Sequence, residues 1–381
     1  ERVKRFGFTD PELERAKKTI LTQYERLWNN RDKTESASYA DEYIRHFTDL
    51  EPVPGIDAEY AYVKELLPSI TLAEVNALTD LYRNEKNTFS YVTGLEATNQ
   101  IKLPSTEAIT AALLAATTDQ TIKPYEEKAV VSTLMTTPPR SGGLRTKKRN
   151  SVLGTTDLLL SNGVTVTIKA TDFKNDQILF AASRYGGLTA YSLEDKYSAE
   201  NATAVIGSMG FGSFSPTDMR KTMAGKSVAL NPVIGQYTAG FSGNSSKKDL
   251  EMLFQLLHLE ILEPRIDSAL YKSFIQRSKA QVAMLGANPQ IAFIDTLYQV
   301  LYDKNPLAPT AVPRAANYDK IKLDRSLAIY KEQVGDAAGM HITIVGSFNE
   351  DTVIQLLEKY VAGLPASQPR NFTDNKVRPF K

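Results

Sequence analysis

Leu158-Leu159-Leu160-Ser161-Asn162-Gly163-Val164-Thr165-Val166-Thr167-Ile168-Lys169 is the stretch on which the reading of the fold turns. Two apolar or β-branched runs flank Asn162-Gly163, a pair that readily takes the left-handed backbone a tight hairpin turn demands. After the turn, Val164, Val166 and Ile168 alternate with Thr165, Thr167 and Lys169, the period of a strand with one buried face. An antiparallel hairpin is therefore predicted here, at the head of a sheet.

Downstream, Ile178 to Arg184 reads as a further strand, ending at Tyr185-Gly186-Gly187. Helical spacing continues from Lys196 to Met209, and Ser215-Pro216-Thr217-Asp218 is a capped start to a short helix ending at Gly225. Strands fit Ser227–Asn231 and Gln236–Gly243. Helices fit Ser246–Leu262, Asp267–Leu285, Gln290–Tyr302 and Leu323–Val334. Residues 156–335 thus form an α+β domain, helices packed on an antiparallel-rich sheet.

Upstream, residues 101–155 read as a connector. It holds a short helix near Thr106 to Ala116, then Pro138-Pro139-Arg140-Ser141-Gly142-Gly143. Arg140, Arg145, Lys147, Lys148 and Arg149 precede the next acid, Asp157; a solvated linker accounts for them best, with a phosphate or membrane contact as the alternative. Residues 1–100 are mostly helical. Thr9-Asp10-Pro11-Glu12 caps a helix to about Asn30, further helices fit Ser36–Phe47 and Ala58–Leu67, and Thr71-Leu72-Ala73-Glu74 caps another to about Tyr82. Thr88 to Thr93 reads as a lone strand. A single strand cannot close a sheet, so this part is expected to finish a domain begun earlier.

At the other end, His341-Ile342-Thr343-Ile344-Val345-Gly346 reads as a buried strand and Asn349–Ala362 as a helix. Residues 336–381 are expected to begin a new domain. Both ends look truncated; the opening Glu1-Arg2-Val3-Lys4-Arg5 offers neither Met nor an apolar leader.

Composition narrows the chemistry. Lys and Arg number 45 against 44 acids, which gives no hint of a nucleic-acid partner. The absence of cysteine removes disulfides, thiolate zinc sites and cysteine nucleophiles. No apolar run approaches the roughly 18 residues that span a bilayer.

The histidine count is decisive for a metal. His46, His258 and His341 are the three in the chain, and no two stand three or four positions apart, as a helical zinc motif requires. His258 and Glu260, two apart on a helix, point to different faces. Other fragments fail on context. Gly225-Lys226-Ser227 ends a helix where a phosphate loop opens one; Gly207, Gly210 and Gly212 have no dinucleotide-loop spacing; Gly240-Phe241-Ser242-Gly243-Asn244 lacks the last glycine of a nucleophile elbow. Ser245 and Lys248 match Ser-x-x-Lys by spacing alone, and Asp172, Asn175 and Asp176 form a polar turn without calcium-loop spacing. No catalytic, cofactor-binding or metal-binding residue is assigned.

Longer stretches resemble a known family. Gly7-Phe8-Thr9-Asp10-Pro11-Glu12-Leu13-Glu14-Arg15-Ala16-Lys17 is similar to a long-helix entry in the pitrilysin/insulinase-type zinc peptidases, and Leu160 to Val166 resembles the hairpin that opens each half of them. Ser213–Asp218, Ala224–Val228 and Phe241–Glu251 resemble the third domain of large bacterial, Bacteroidetes-like, members.

The resemblance implies four related α+β domains of the processing-peptidase/LuxS-like metallohydrolase fold, in two halves that close over a peptide. The first half carries His-x-x-Glu-His and a downstream Glu around zinc; the second is a degenerate copy. By this resemblance 1–100 finish the second domain, 101–155 join the halves, 156–335 are the third domain and 336–381 begin the fourth. The helix matching the metal-binding one lies near Tyr197 to Met209 and holds no His. The chain is thus expected to be a non-catalytic, substrate-enclosing half and hinge of a periplasmic or cell-envelope zinc metalloendopeptidase. It would have no cofactor of its own, with zinc bound upstream, and its partners would be a peptide substrate and the N-terminal half of the same protein. The alternative is a non-proteolytic scaffold subunit of the same fold.

Overall fold

The computed structural model describes residues 1–83, 89–92, 103–127, 133–283, 285 and 288–380. It divides into two compact units, one of residues 1–28 and 40–130, the other of residues 29–39 and 131–381.

The first unit is helical: α1 (Arg2–Phe6), α2 (Asp10–Asn29), α3 (Ser36–Asp49), α4 (Ile56–Leu66), α5 (Leu72–Ala77) and α6 (Thr106–Thr118), with α2 and α3 each reaching into the segment assigned to the second unit. The expected caps are made: Glu12 accepts from the Thr9 N–H at 2.9 Å, and Thr71 and Glu74 form a reciprocal box. The strand expected over Thr88–Thr93 is not found at Phe89–Val92, which belong to no sheet, while Thr88 and Thr93 lie outside the described residues.

The second unit is built on one seven-stranded sheet of β1 (Leu144–Asn150), β2 (Thr155–Leu160), β3 (Thr165–Ala170), β4 (Ile178–Tyr185), β5 (Val228–Ile234), β6 (Thr238–Ser245) and β7 (His341–Gly346), in the order β1-β2-β3-β7-β4-β6-β5. Only the β3–β7 pair is parallel. The α+β class and the antiparallel-rich sheet are as the sequence predicts, and Gly163 at the hairpin has the positive φ of 89° that its turn needs.

The helices are α7 (Lys196–Glu200), α8 (Ala202–Gly207), α9 (Pro216–Thr222), α10 (Leu250–Leu262), α11 (Ser268–Ala283), α12 (Pro289–Leu301), α13 (Ala315–Tyr318), α14 (Leu323–Val334) and α15 (Glu350–Tyr360). Alternation decides which face they cover. Ile178, Phe180, Ala182 and Arg184 of β4 are buried while Leu179, Ala181, Ser183 and Tyr185 are exposed. Val166 and Ile168, Ile342 and Ile344, and Phe241 join the buried row, and α10 packs over β5 and β6 with Phe254 edge-on to Phe180 at 6.3 Å. Each fully buried Val, Ile or Phe among them contributes about 1.5–3 kcal/mol.

Two expected boundaries need correction. Residues 336–381 do not start a separate domain: β7 lies between β3 and β4, and α15 packs on α10. The hairpin turn itself grips this segment, because Asn162 Nδ2 donates to the carbonyls of Val361 and Leu364 at 2.9 and 3.1 Å. Nor is all of 101–155 a connector, since Leu144–Asn150 forms the edge strand β1. Its basic side chains keep the outer edge charged, a common defence against edge-to-edge pairing.

A cleft and an open sheet face

The segment Tyr197–Met209, expected to correspond to a metal-binding helix, is broken in two at Asn201, whose side-chain amide donates to the Tyr197 carbonyl at 2.9 Å and competes with the helix ladder. Ser198, Ala199, Ala202, Val205 and Ile206 are buried, facing α14 and the core. The Ser198 hydroxyl accepts from the Lys322 N–H at 3.0 Å, and Glu200 accepts from the Thr310 N–H at 3.1 Å. The buried positions of the segment are thus small or aliphatic, the segment has no histidine, and Glu200 is its single carboxylate. These residues do not fit a zinc ion, so no chemical step is assigned to one.

The histidines stand apart. His46 lies on α3 with Nδ1 at 2.7 Å from the Glu51 carbonyl; His258 is buried on α10 and bonds the Tyr360 carbonyl at 3.0 Å; His341 opens β7 beside the Thr165 hydroxyl at 2.9 Å. Among the described residues no three His, Asp or Glu side chains are grouped to hold a metal ion. Glu260, near His258 in sequence, is 4% exposed, and its Oε2 has no hydrogen-bond partner. Burial pushes its carboxyl up to about 8, so it stays neutral at pH 7.

The other fragments serve structure. The glycine before Lys226 ends the turn after α9 at a φ of 73°, and the Ser227 N–H donates to the buried carboxylate of Asp249 at 2.7 Å. Asn175 and Asp176 clamp the segment after α2: Asn30 Oδ1 accepts from both of their N–H groups, at 2.8 and 3.1 Å. Ser245 is buried at the end of β6. Gly240 lets β6 approach β4, where a Cβ would collide with the Ala182 carbonyl.

Two surfaces remain available. One is the outer face of the sheet, where Thr167, Thr343, Ala181, Ser242 and Asn231 form a row across five adjacent strands. It is a floor of small and hydroxyl-bearing side chains. The second is a cleft of about 890 Å³ between the entry to α7, the helix α12, and the loop that leads from α12 to α13. Tyr298 and Tyr302 stack at 5.9 Å along one wall, and Tyr197 lies on another. Lys196 pins the loop by donating to the carbonyls of Pro306 and Ala308 at 2.9 and 2.6 Å. Burial lowers the Lys196 ammonium from its ordinary value, partly offset by Glu200, while Lys320 lowers it further. No local motif announces the cleft, because its walls come from segments about a hundred residues apart.

A core polar network stands behind the turn after β4. Tyr191 donates to Glu332 at 2.9 Å and accepts from Gln333 at 2.8 Å, and Gln333 in turn accepts from the Gly187 N–H at 2.8 Å. Burial pushes the Tyr191 hydroxyl up to about 12, so it stays a donor at any physiological pH.

This architecture is shared with solved peptidases. The periplasmic protease PqqL from Escherichia coli superposes with a TM-score of 0.57 at 16% identity, over 100% of this chain and 41% of that one. The ferredoxin protease FusC, a mutant solved in complex with Arabidopsis ferredoxin, gives 0.56 at 15% identity, over 97% and 42%. In sequence, a PQQL-like zinc protease of Arabidopsis thaliana is 22% identical over 365 residues, 96% of this chain and 35% of its own length. A probable zinc protease PqqL of Haemophilus influenzae is 22% identical over 372 residues, 97% and 39%. No protein-family model matches the chain. In sequence and in fold the chain is a relative of the zinc peptidases of the pitrilysin/insulinase type. It spans less than two fifths of the length of these two curated relatives.

Proposed function

We propose that this chain is a substrate-enclosing, non-catalytic part of a zinc metalloendopeptidase, with the zinc site on another part of the same protein. The observation that carries the reading is a pairing of two facts. Sequences named zinc proteases align with nearly all of the chain, yet its α7–α8 segment holds no histidine, its buried positions are small or aliphatic, and its single carboxylate, Glu200, accepts from the Thr310 N–H. The open sheet face and the cleft supply surfaces on which an extended peptide can rest. The name of the FusC neighbour, a ferredoxin protease, supports proteins or peptides as the substrate class. A periplasmic or cell-envelope location is proposed from the E. coli neighbour, described as periplasmic; no helix among the described residues is long and apolar enough to cross a membrane.

The test is complementation. The chain is mixed with the separately expressed portion of the protein that carries His-x-x-Glu-His, zinc is added, and cleavage of a quenched peptide library is monitored with and without chelator. Chelator-sensitive cleavage only in the mixture is the expected result. Persistent silence with the complete second half would favour a scaffold. Cleavage by this chain alone would overturn the assignment.

A further inference from the structure

The geometry points to the cleft between α12 and the entry to α7 as a binding site for an acidic, apolar-flanked segment of a peptide. This deepens the substrate-enclosing reading and rests on it.

Its charges are unequal. Lys196, Lys304, Arg314, Lys320 and Lys322 line it against Glu194 and Asp295. Arg314 is matched by Asp295 at 2.7 Å and Lys322 by Glu194 at 3.0 Å. Lys196, Lys304 and Lys320 stand in no ion pair among the described residues. Two of them crowd one ring: the ammonium groups of Lys196 and Lys320 lie 5.5 and 5.2 Å from the centre of Tyr197. Lys320 opposes the charge of Lys196, and a carboxylate bound in the cleft near both would offset that repulsion. Lys196 is fixed by the two loop carbonyls it binds, so part of the ordering cost is met before a ligand arrives.

The walls supply the other half of the chemistry. Tyr298 and Tyr302, one helical turn apart, present adjoining rings suited to an apolar or aromatic side chain next to the acid. A volume of about 890 Å³ holds a few residues, within the few hundred to roughly 1,000 Å³ usual for ligand sites. A bare inorganic anion would leave the aromatic wall unused, and a basic peptide would meet three ammonium groups outside any ion pair among the described residues, Glu200 offsetting only part of the charge of Lys196. An acidic peptide segment uses both features.

Fluorescence anisotropy with the intact chain tests this directly, because binding needs neither zinc nor the catalytic portion. The probes are fluorescein-labelled Glu/Phe and Lys/Phe peptides of about ten residues, and oligodeoxythymidine of similar length. The Glu/Phe peptide is expected to bind at least tenfold more tightly than the Lys/Phe peptide. Lys304→Glu with Lys320→Glu, both exposed and outside any ion pair, should weaken it at least tenfold, and Tyr298→Ala about threefold to tenfold. Lys18→Glu with Lys123→Glu changes net charge equally on the helical unit and should leave binding within twofold. Equal loss in that control, equal binding of the two peptides, or tighter binding of the oligonucleotide would overturn the proposal. Peptide binding without complemented cleavage would sink only the peptidase reading; complemented cleavage without selective binding would sink only this site.

Discussion

Arg184, the last inward-facing residue of β4, forms an ion pair with Asp336 beyond the end of α14, and the same guanidinium donates to the carbonyls of Glu332 and Gln333 at 2.9 and 2.8 Å. One side chain thereby closes a helix C-terminus and ties it to the sheet. Arg184 is 5% exposed. Arg184→Met would leave Asp336 with only the Ala338 N–H and the Ser367 hydroxyl, and the helix carbonyls without this donor, at a cost of about 3 kcal/mol. Arg184→Lys should recover only part of it, because an ammonium cannot reproduce the planar fork. Urea midpoints of the three proteins check the order.

Glu260 makes stability fall as pH rises. Its folded carboxyl titrates at about 8 against an ordinary 4.5, so the folded chain keeps a proton that the unfolded chain releases between these values. The sign is therefore negative: there is no penalty below pH 4.5, a growing one above it, and no further change beyond about 8. Glu260→Gln should match the parent near pH 4 and exceed it by several kcal/mol near pH 8, since each tenfold difference in proton affinity is worth about 1.4 kcal/mol. A gap that stays constant across this range would refute the burial argument.

Truncation separates the expected domain boundary from the observed one. Residues 131–364 should unfold cooperatively, whereas residues 131–335, which lack β7, should not, because β3 and β4 would both lose their neighbour. Near-ultraviolet circular dichroism through a thermal ramp distinguishes the two outcomes.

Lys196→Met should loosen the cleft wall without unfolding the sheet. Two hydrogen bonds to the Pro306 and Ala308 carbonyls are lost, each worth about 1 kcal/mol. Amide exchange in residues 305–312 is expected to quicken by about tenfold or more, with that of β4 and β6 unchanged. Unchanged exchange in the loop would show that other contacts hold it.

Local chemistry explains which features are legible in the sequence. Asn162-Gly163 announces its hairpin, and Thr71 and Ser215 announce their helices, because turns and caps are settled by neighbouring residues. The strand β1 is hidden, since Arg145, Lys147, Lys148 and Arg149 suit a solvated linker as well as an exposed edge. His341–Gly346 is legible as a strand, but its position is not: pairing with β3 joins Thr165 to His341, 176 residues away, which no window of sequence contains. The break at Asn201 escapes notice because an intact helical pattern runs through it. That Tyr197–Met209 holds no histidine is legible, whereas the cleft, assembled from distant segments, leaves no local trace.

The central place of β7, made long after the strands on either side of it, also governs how the protein is built. As the chain leaves the ribosome, β1–β3 and β4–β6 are complete long before residues 341–346 emerge, and each set has an open inner edge until then. Pairing across so long a loop is slow, and exposed edges of this kind attract other chains. The protein should therefore depend on shielding during synthesis, and a pause just before His341 would be its most hazardous moment.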